Sequence, residues 1–120
     1  MGYIRNQAMI VSGWSAKHVL RAHSAAISVF DEHGLCRLVS GLTQHAANGG
    51  AAFFISPDGS KEGWEPSNNG DKARAQFIEW LRGKEACDLY LDWCEILLGG
   101  DDGEYCVSQS PNTEVAELAK

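Results

Sequence analysis

The sequence predicts an α+β domain of ferredoxin-like, split βαβ order (β-α-β-β-α-β), with an extra strand returning as a C-terminal hairpin. Three observations predict it. Short β-branched or aromatic runs, closed by Gly, Pro or Asp, alternate with two longer stretches whose apolar residues recur at helical spacing. A chain of 120 residues holds one core and little more. Its composition, 44% hydrophobic and 22% charged, is that of a folded protein rather than a disordered one. Residues 1–108 are therefore expected to form a single domain, and 109–120 a mobile tail or a short helix after Pro111.

Residues 4–14 contain the run Ala8-Met9-Ile10-Val11, ended by Ser12-Gly13, and read as the first strand. In residues 15–33, Val19, Leu20, His23, Ala26, Ile27 and Phe30 build one helical face. Ser15 suits the N-cap, with Trp14 and Val19 placed as a hydrophobic staple. Gly34 suits a left-handed stop, with Phe30 and Leu35 at the positions that touch in a Schellman motif. Residues 36–42 (CRLVSGL) read as the second strand and 51–56 (AAFFIS) as the third, joined by the connection 43–50. Residues 56–70 show no regular period and are expected to be a long loop. Asp71 would cap a second helix reaching Arg82, with Ala73, Phe77, Trp80 and Leu81 inward and Gly83 as its end. Residues 88–98 fit both periods. The strong turn at 99–103 and the strand-like 104–108 favour a hairpin, so 88–98 is expected to be the fourth strand.

Such a sheet exposes one face, which is normally polar. Here alternation splits Met9 and Val11 from Ala8 and Ile10, Phe53 and Ile55 from Phe54, and Leu89, Leu91, Trp93 and Leu97 from Tyr90, Cys94, Ile96 and Leu98, so neither face is clearly polar and an apolar second face is expected. A sheet-to-sheet homodimer would cover it; the tail or the 56–70 loop would be the alternative. Cys94 and Cys106 would lie opposite each other if the hairpin turned symmetrically about Gly100. No pair among Cys36, Cys87, Cys94 and Cys106 has C-x-x-C spacing, and the start MGYIRNQ has no apolar signal core, so reduced thiols in a cytoplasm are expected.

Several functions are excluded or disfavoured. No apolar run reaches the length of a membrane span. A net charge of −6 argues against general nucleic-acid binding, which needs Lys and Arg on phosphates. Nucleophile-elbow, P-loop and dinucleotide glycine motifs are absent, and no cofactor is implied. His23 reads as a core or rim residue and His33 as a partner of the helix dipole. A metal site from His33, Cys36 and His45 would match no zinc spacing and lack a fourth ligand. Asp101 and Asp102, with Glu104, form an acidic turn without EF-hand periodicity. The loop PDGSKEGW offers Asp58, Lys61, Glu62 and Trp64 for directional contacts and an aromatic anchor. With Asp101 and Asp102 these are the candidate partner- or ligand-binding residues; none is assigned catalysis or a metal.

Ala52-Phe53-Phe54-Ile55 followed by PDGSKEGW, Gly70-Asp71, and Phe77-Ile78-Glu79-Trp80-Leu81 resemble a family of small proteins of tailed bacteriophages and prophages. The opening MGYIRNQAMIVSGW and Asp92-Trp93-Cys94-Glu95 before Gly100-Asp101-Asp102 are similar in placement. The resemblance covers most of the chain except its tail. It implies a host-cytoplasm location and transfers no catalytic residue. The expectation is a small non-catalytic binding protein acting on a host or phage protein, for example an anti-defence (anti-CRISPR) inhibitor. A nucleotide sponge is the alternative, with Trp64, Lys61 and Arg74 or Arg82 holding a base and a phosphate in a dimer cleft. A small enzyme using His23, His45 or Glu62 ranks below both.

Overall fold

Met9, Val11 and Gly13 alternate with Ala8, Ile10 and Ser12, which makes a strand with two unlike faces. In the computed structural model, which describes residues 3–112, this strand (β1, Gln7–Gly13) is the central one of an antiparallel sheet. The elements that follow are α1 (Ala16–Glu32), β2 (Thr43–Gln44), β3 (Ala51–Ile55), α2 (Glu65–Leu81), a single turn α3 (Lys84–Cys87), β4 (Leu91–Gly99) and β5 (Glu104–Gln109). The five strands lie in the order β2-β3-β1-β4-β5, and every neighbouring pair is antiparallel. The α+β class is as the sequence predicts. Among the described residues no helix is long and apolar enough to cross a membrane.

Both long helices pack on one face of the sheet. Val19, Ala22, Ala26 and Phe30 of α1 and Ala73, Phe77, Ile78 and Leu81 of α2 meet Met9, Val11, Phe53, Ile55 and Trp93 in one core. Phe30 and Phe77 are wholly buried. Each such side chain contributes about 1.5–3 kcal/mol of hydrophobic stabilisation.

The end of α1 follows its local sequence. Gly34 adopts φ +73°, its N–H donates to Asp31 O, and the Leu35 N–H donates to Phe30 O. That is a Schellman stop, and Phe30 and Leu35 are both buried. The start differs. Ser15 occupies the N-cap, but its hydroxyl makes no capping bond. Gly49 O instead accepts the Ala16 N–H at 2.9 Å. Trp14 is 75% exposed, so it forms no staple on buried Val19.

Three other expectations are corrected. The second strand lies at Thr43–Gln44, not at 36–42, where Cys36–Leu38 make a short 3-10 turn. Residues 39–40 do run beside β3: Val39 bridges Ile55 and the Ser40 N–H donates to Phe54 O. The returning bond, however, goes from the Phe54 N–H to the Ser40 hydroxyl at 2.9 Å, so a side chain interrupts the ladder. Helix α2 starts at Glu65 rather than after Asp71. Pro66 fits a first turn because its missing N–H would have no partner there. Ser67 and Gly70 are buried, so tertiary packing overrides their low helix propensity. The loop before it therefore shrinks to 56–64. Finally, Gly99 pairs Glu104 and Leu97 pairs Cys106, so the hairpin centres on Asp101-Asp102 instead of Gly100. This odd offset sends Cys94 and Cys106 to opposite faces, and all four cysteines are free thiols. The tail expected at 109–120 begins inside β5, and its part from 113 onward lies outside the described residues.

Candidate functional site

No described helix covers the outward face of the sheet. Phe54, Ile10 and Cys94 form one cross-strand row; Ile96 and Val107 continue a second, and Leu98 and Tyr105 a third. Ile10, Phe54, Leu98, Tyr105 and Val107 are all exposed. An apolar groove of about 230 Å³ runs between Ile10, Thr43, Ala52 and Phe54.

At one end this apolar field gives way to polar chemistry. The last outward row is Thr43, Ala52, Ser12 and Asp92. One residue beyond the ladder come His45, Gly50, Trp14 and Tyr90, with the His45 N–H donating to Gly50 O at 2.9 Å. Gly50 decides what His45 can do. A Cβ built on Gly50 would stand 2.6 Å from His45 Nδ1, so only glycine lets the imidazole lie across the strand. His45 Nε2 then reaches the Ser12 hydroxyl at 3.3 Å. Ser12, Gly13, Trp14, His45 and Asp92 line a cavity of about 220 Å³.

Asp92 is exposed, and among the described residues its carboxylate has no hydrogen bond or ion pair. Trp14 and Tyr90 are each 75% exposed. Tyr90 has φ +51°, a left-handed conformation that is uncommon for a bulky side chain. It is held on the upstream side by His18 Nδ1, which donates to Leu89 O at 3.1 Å. Ser12 and His45 form a dyad without the third group of a hydrolase triad, because Nδ1 faces Gly50 and not Asp92. The arrangement offers a carboxylate, a hydroxyl and an aromatic plane to an incoming group.

The residues singled out in the sequence gather at the other end. Ile4 bridges Lys61, its N–H donates to Asp101 Oδ2 at 2.7 Å, and its carbonyl accepts the Asp101 N–H. The loop holding Asp58, Lys61, Glu62 and Trp64 and the turn holding Asp101 and Asp102 thus flank the same N-terminal segment. Within this group Asp58, Asp101 and Lys61 already use their side chains, and Glu62 its backbone, inside the fold. Asp58 is buried, accepts the Ser60 N–H and faces Arg74 at 3.7 Å. The Lys61 ammonium sits 5.0 Å from the Trp64 ring centre, and the Glu62 N–H donates to Tyr3 O. Asp102 and the 57% exposed Trp64 remain accessible.

Arg74, suggested for a phosphate, is buried instead. Its guanidinium bonds Asp71, Glu95 Oε2 at 3.2 Å and Gln7 Oε1 at 3.2 Å. Glu95 Oε1 in turn accepts from Ser108 and Gln109 at 2.9 and 3.1 Å. Gly70 makes room for this cluster, since a Cβ there would stand 2.5 Å from Asp58 Oδ2. Arg82 lies over the Trp93 ring and donates to Ser110 O.

The other histidines are structural. His23 donates to Ser40 O at 2.8 Å and stands edge-on to Phe53. His33 bonds Gln76, far from the Ser12–His45 pair, so His33, Cys36 and His45 do not converge. Among the described residues no cluster of three or more His, Cys, Asp or Glu is placed to hold a metal.

Ser12, Trp14 and Asp92 were not among the sequence candidates. Their signal was the alternation that puts them on the outward face. Comparison with family models, curated proteins and solved structures gives no match.

Proposed function

We propose that the chain is a non-catalytic binding protein that acts on a host or phage protein through the outward face of its sheet. The carrying observation is that face: covered by no described helix, apolar across four strands, and rimmed at one end by Trp14, Ser12 and Asp92. Soluble chains rarely leave such a contiguous patch without a partner. An apolar centre with aromatic and polar groups at its edge is the layout of a protein interface. The phage setting, the cytoplasmic location and the anti-defence role come from the sequence resemblance; four free thiols are compatible with a reducing compartment. The strand order, with α1 between β1 and β2 and α2 between β3 and β4, supports a ferredoxin-like split βαβ scaffold extended by β5.

The test is site-specific photo-cross-linking in the bacterial host. A cross-linking residue at Phe54 is expected to trap one heterologous polypeptide, and the same residue at exposed Leu20 on α1 to trap none. Adducts of twice the chain mass alone would replace this reading with a stacked homodimer. Equal adducts from both positions, or none, would overturn it.

A further inference from the structure

We propose that the sheet end formed by Trp14, Ser12 and Asp92 receives an arginine side chain of the docked protein; the assignment rests on the docking role of the outward face. The argument begins with charge. The outward strand residues of β1 to β5 include a single group charged at neutral pH, Asp92. In the free protein water satisfies its carboxylate. A partner that covers the face removes that water, and an unpaired buried carboxylate is strongly unfavourable. The partner must therefore bring a cation to this point. A second copy stacked on the same face would bring no Lys or Arg from its strands and a second Asp92, so it is the poorer occupant.

The neighbouring groups select which cation. Trp14 lines the same cavity as Asp92, and its indole, 75% exposed, makes no hydrogen bond or ring contact among the described residues. A guanidinium is planar, stacks on an indole and donates paired N–H bonds to a carboxylate in one pose. An ammonium is a point charge and does not combine both contacts with that geometry. The Ser12 hydroxyl, fixed by His45 at 3.3 Å, supplies a further acceptor. The cavity, about 220 Å³, is smaller than the roughly 300–1,000 Å³ of a typical small-molecule site and suits one side-chain head. The net charge of −6 complements a basic partner and speeds its approach.

The test uses the whole, isotopically labelled chain titrated with N-acetyl-arginine-methylamide at low salt, and with its lysine counterpart. The Trp14 indole N–H and the amides of Ser12, Gly13 and Asp92 are expected to shift, and the Trp64 indole to stay. Asp92→Asn should weaken the response at least about fivefold, and the lysine probe should give a response weaker by a similar factor. Trp64→Ala should leave the response intact. Shifts spread over the surface, an undiminished response in Asp92→Asn, or equal responses to the two probes would overturn the assignment. A Phe54 cross-link to a protein without any arginine response would overturn this assignment alone and leave the docking role standing. An arginine response from a chain that forms no protein adduct would overturn the commitment to a protein source.

Discussion

Asp92 and Glu95 stand three residues apart on β4 and live in opposite worlds. Glu95 points to the helices, is 5% exposed, and has Arg74, Ser108 and Gln109 on its oxygens. Asp92 points outward, is exposed and has no hydrogen bond or ion pair among the described residues. The inward carboxylate joins both strands of the last hairpin through its own bonds to Ser108 and Gln109, and the Arg74 guanidinium ties it to α2 and to Gln7 of β1. The outward one ties nothing. A charge that the fold has fully satisfied belongs to the fold, and a charge that the fold leaves bare on an apolar face is free for recognition. The same division separates Phe53, in the core, from Phe54, on the open face.

That division predicts very unequal mutational costs. Arg74→Met should have the largest. It leaves Asp58 and Glu95 in a buried site without their cation, which costs about 3–5 kcal/mol. Urea unfolding should show the loss as a lower midpoint with an unchanged slope. A cost below about 1 kcal/mol would mean that water already reaches the cluster and that the two carboxylates are more alike than argued.

Phe53→Ala and Phe54→Ala sharpen the comparison within one strand. The first opens a cavity between α1, α2 and the sheet and should cost about 3–5 kcal/mol. The second removes a ring that is already 37% exposed and should cost less than about 1.5 kcal/mol. Near-equal costs would indicate that something covers the outward face in the isolated chain.

How much of this was legible beforehand differs between the two faces. Helix α1 was legible at its C-terminus, because Phe30, Gly34 and Leu35 are close in sequence and the stop is local. The start of α2 was not. Ser67, Asn68, Asn69 and Gly70 disfavour a helix, and only the distant Asp58 explains why a glycine is seated there. β2 was misplaced because the Ser40 hydroxyl takes a bond that a backbone carbonyl would otherwise take, and propensity does not register that exchange. The cysteine pairing failed on register alone. Alternation sets Asp92 on the face opposite Trp93 and Glu95, yet which face is outward, its pairing with Ser12 and the reach of His45 depend on strand order and on a missing Cβ. Local signals gave the elements; non-local ones made the site.

Gly50→Ala falls in the middle of the scale. The added methyl meets Gly13 O and stands 2.6 Å from His45 Nδ1, so the chain must shift, at about 1–3 kcal/mol. The expected signature is specific: the Ser12–His45 bond is lost, and the imidazole resonances move toward those of a free histidine. The core resonances, Phe30 and Phe77 among them, should hold their positions. A destabilised variant with unchanged imidazole resonances would mean that His45 does not depend on the room Gly50 provides.

Asp92→Asn should have the smallest effect on the fold and decides most about the open face. With no hydrogen bond or ion pair to lose among the described residues, it should change unfolding free energy by less than about 0.5 kcal/mol. Binding should respond in the opposite proportion. An asparagine keeps the shape but removes the charge that a covered face would have to neutralise, so the arginine response falls while the melting temperature stays. If the two fell together, Asp92 would hold the sheet end in place as Glu95 holds the other face, and the contrast along β4 would vanish. If neither moved, the open face would dock its partner through the apolar rows of Ile10, Phe54 and Ile96, with Asp92 left in water at the rim.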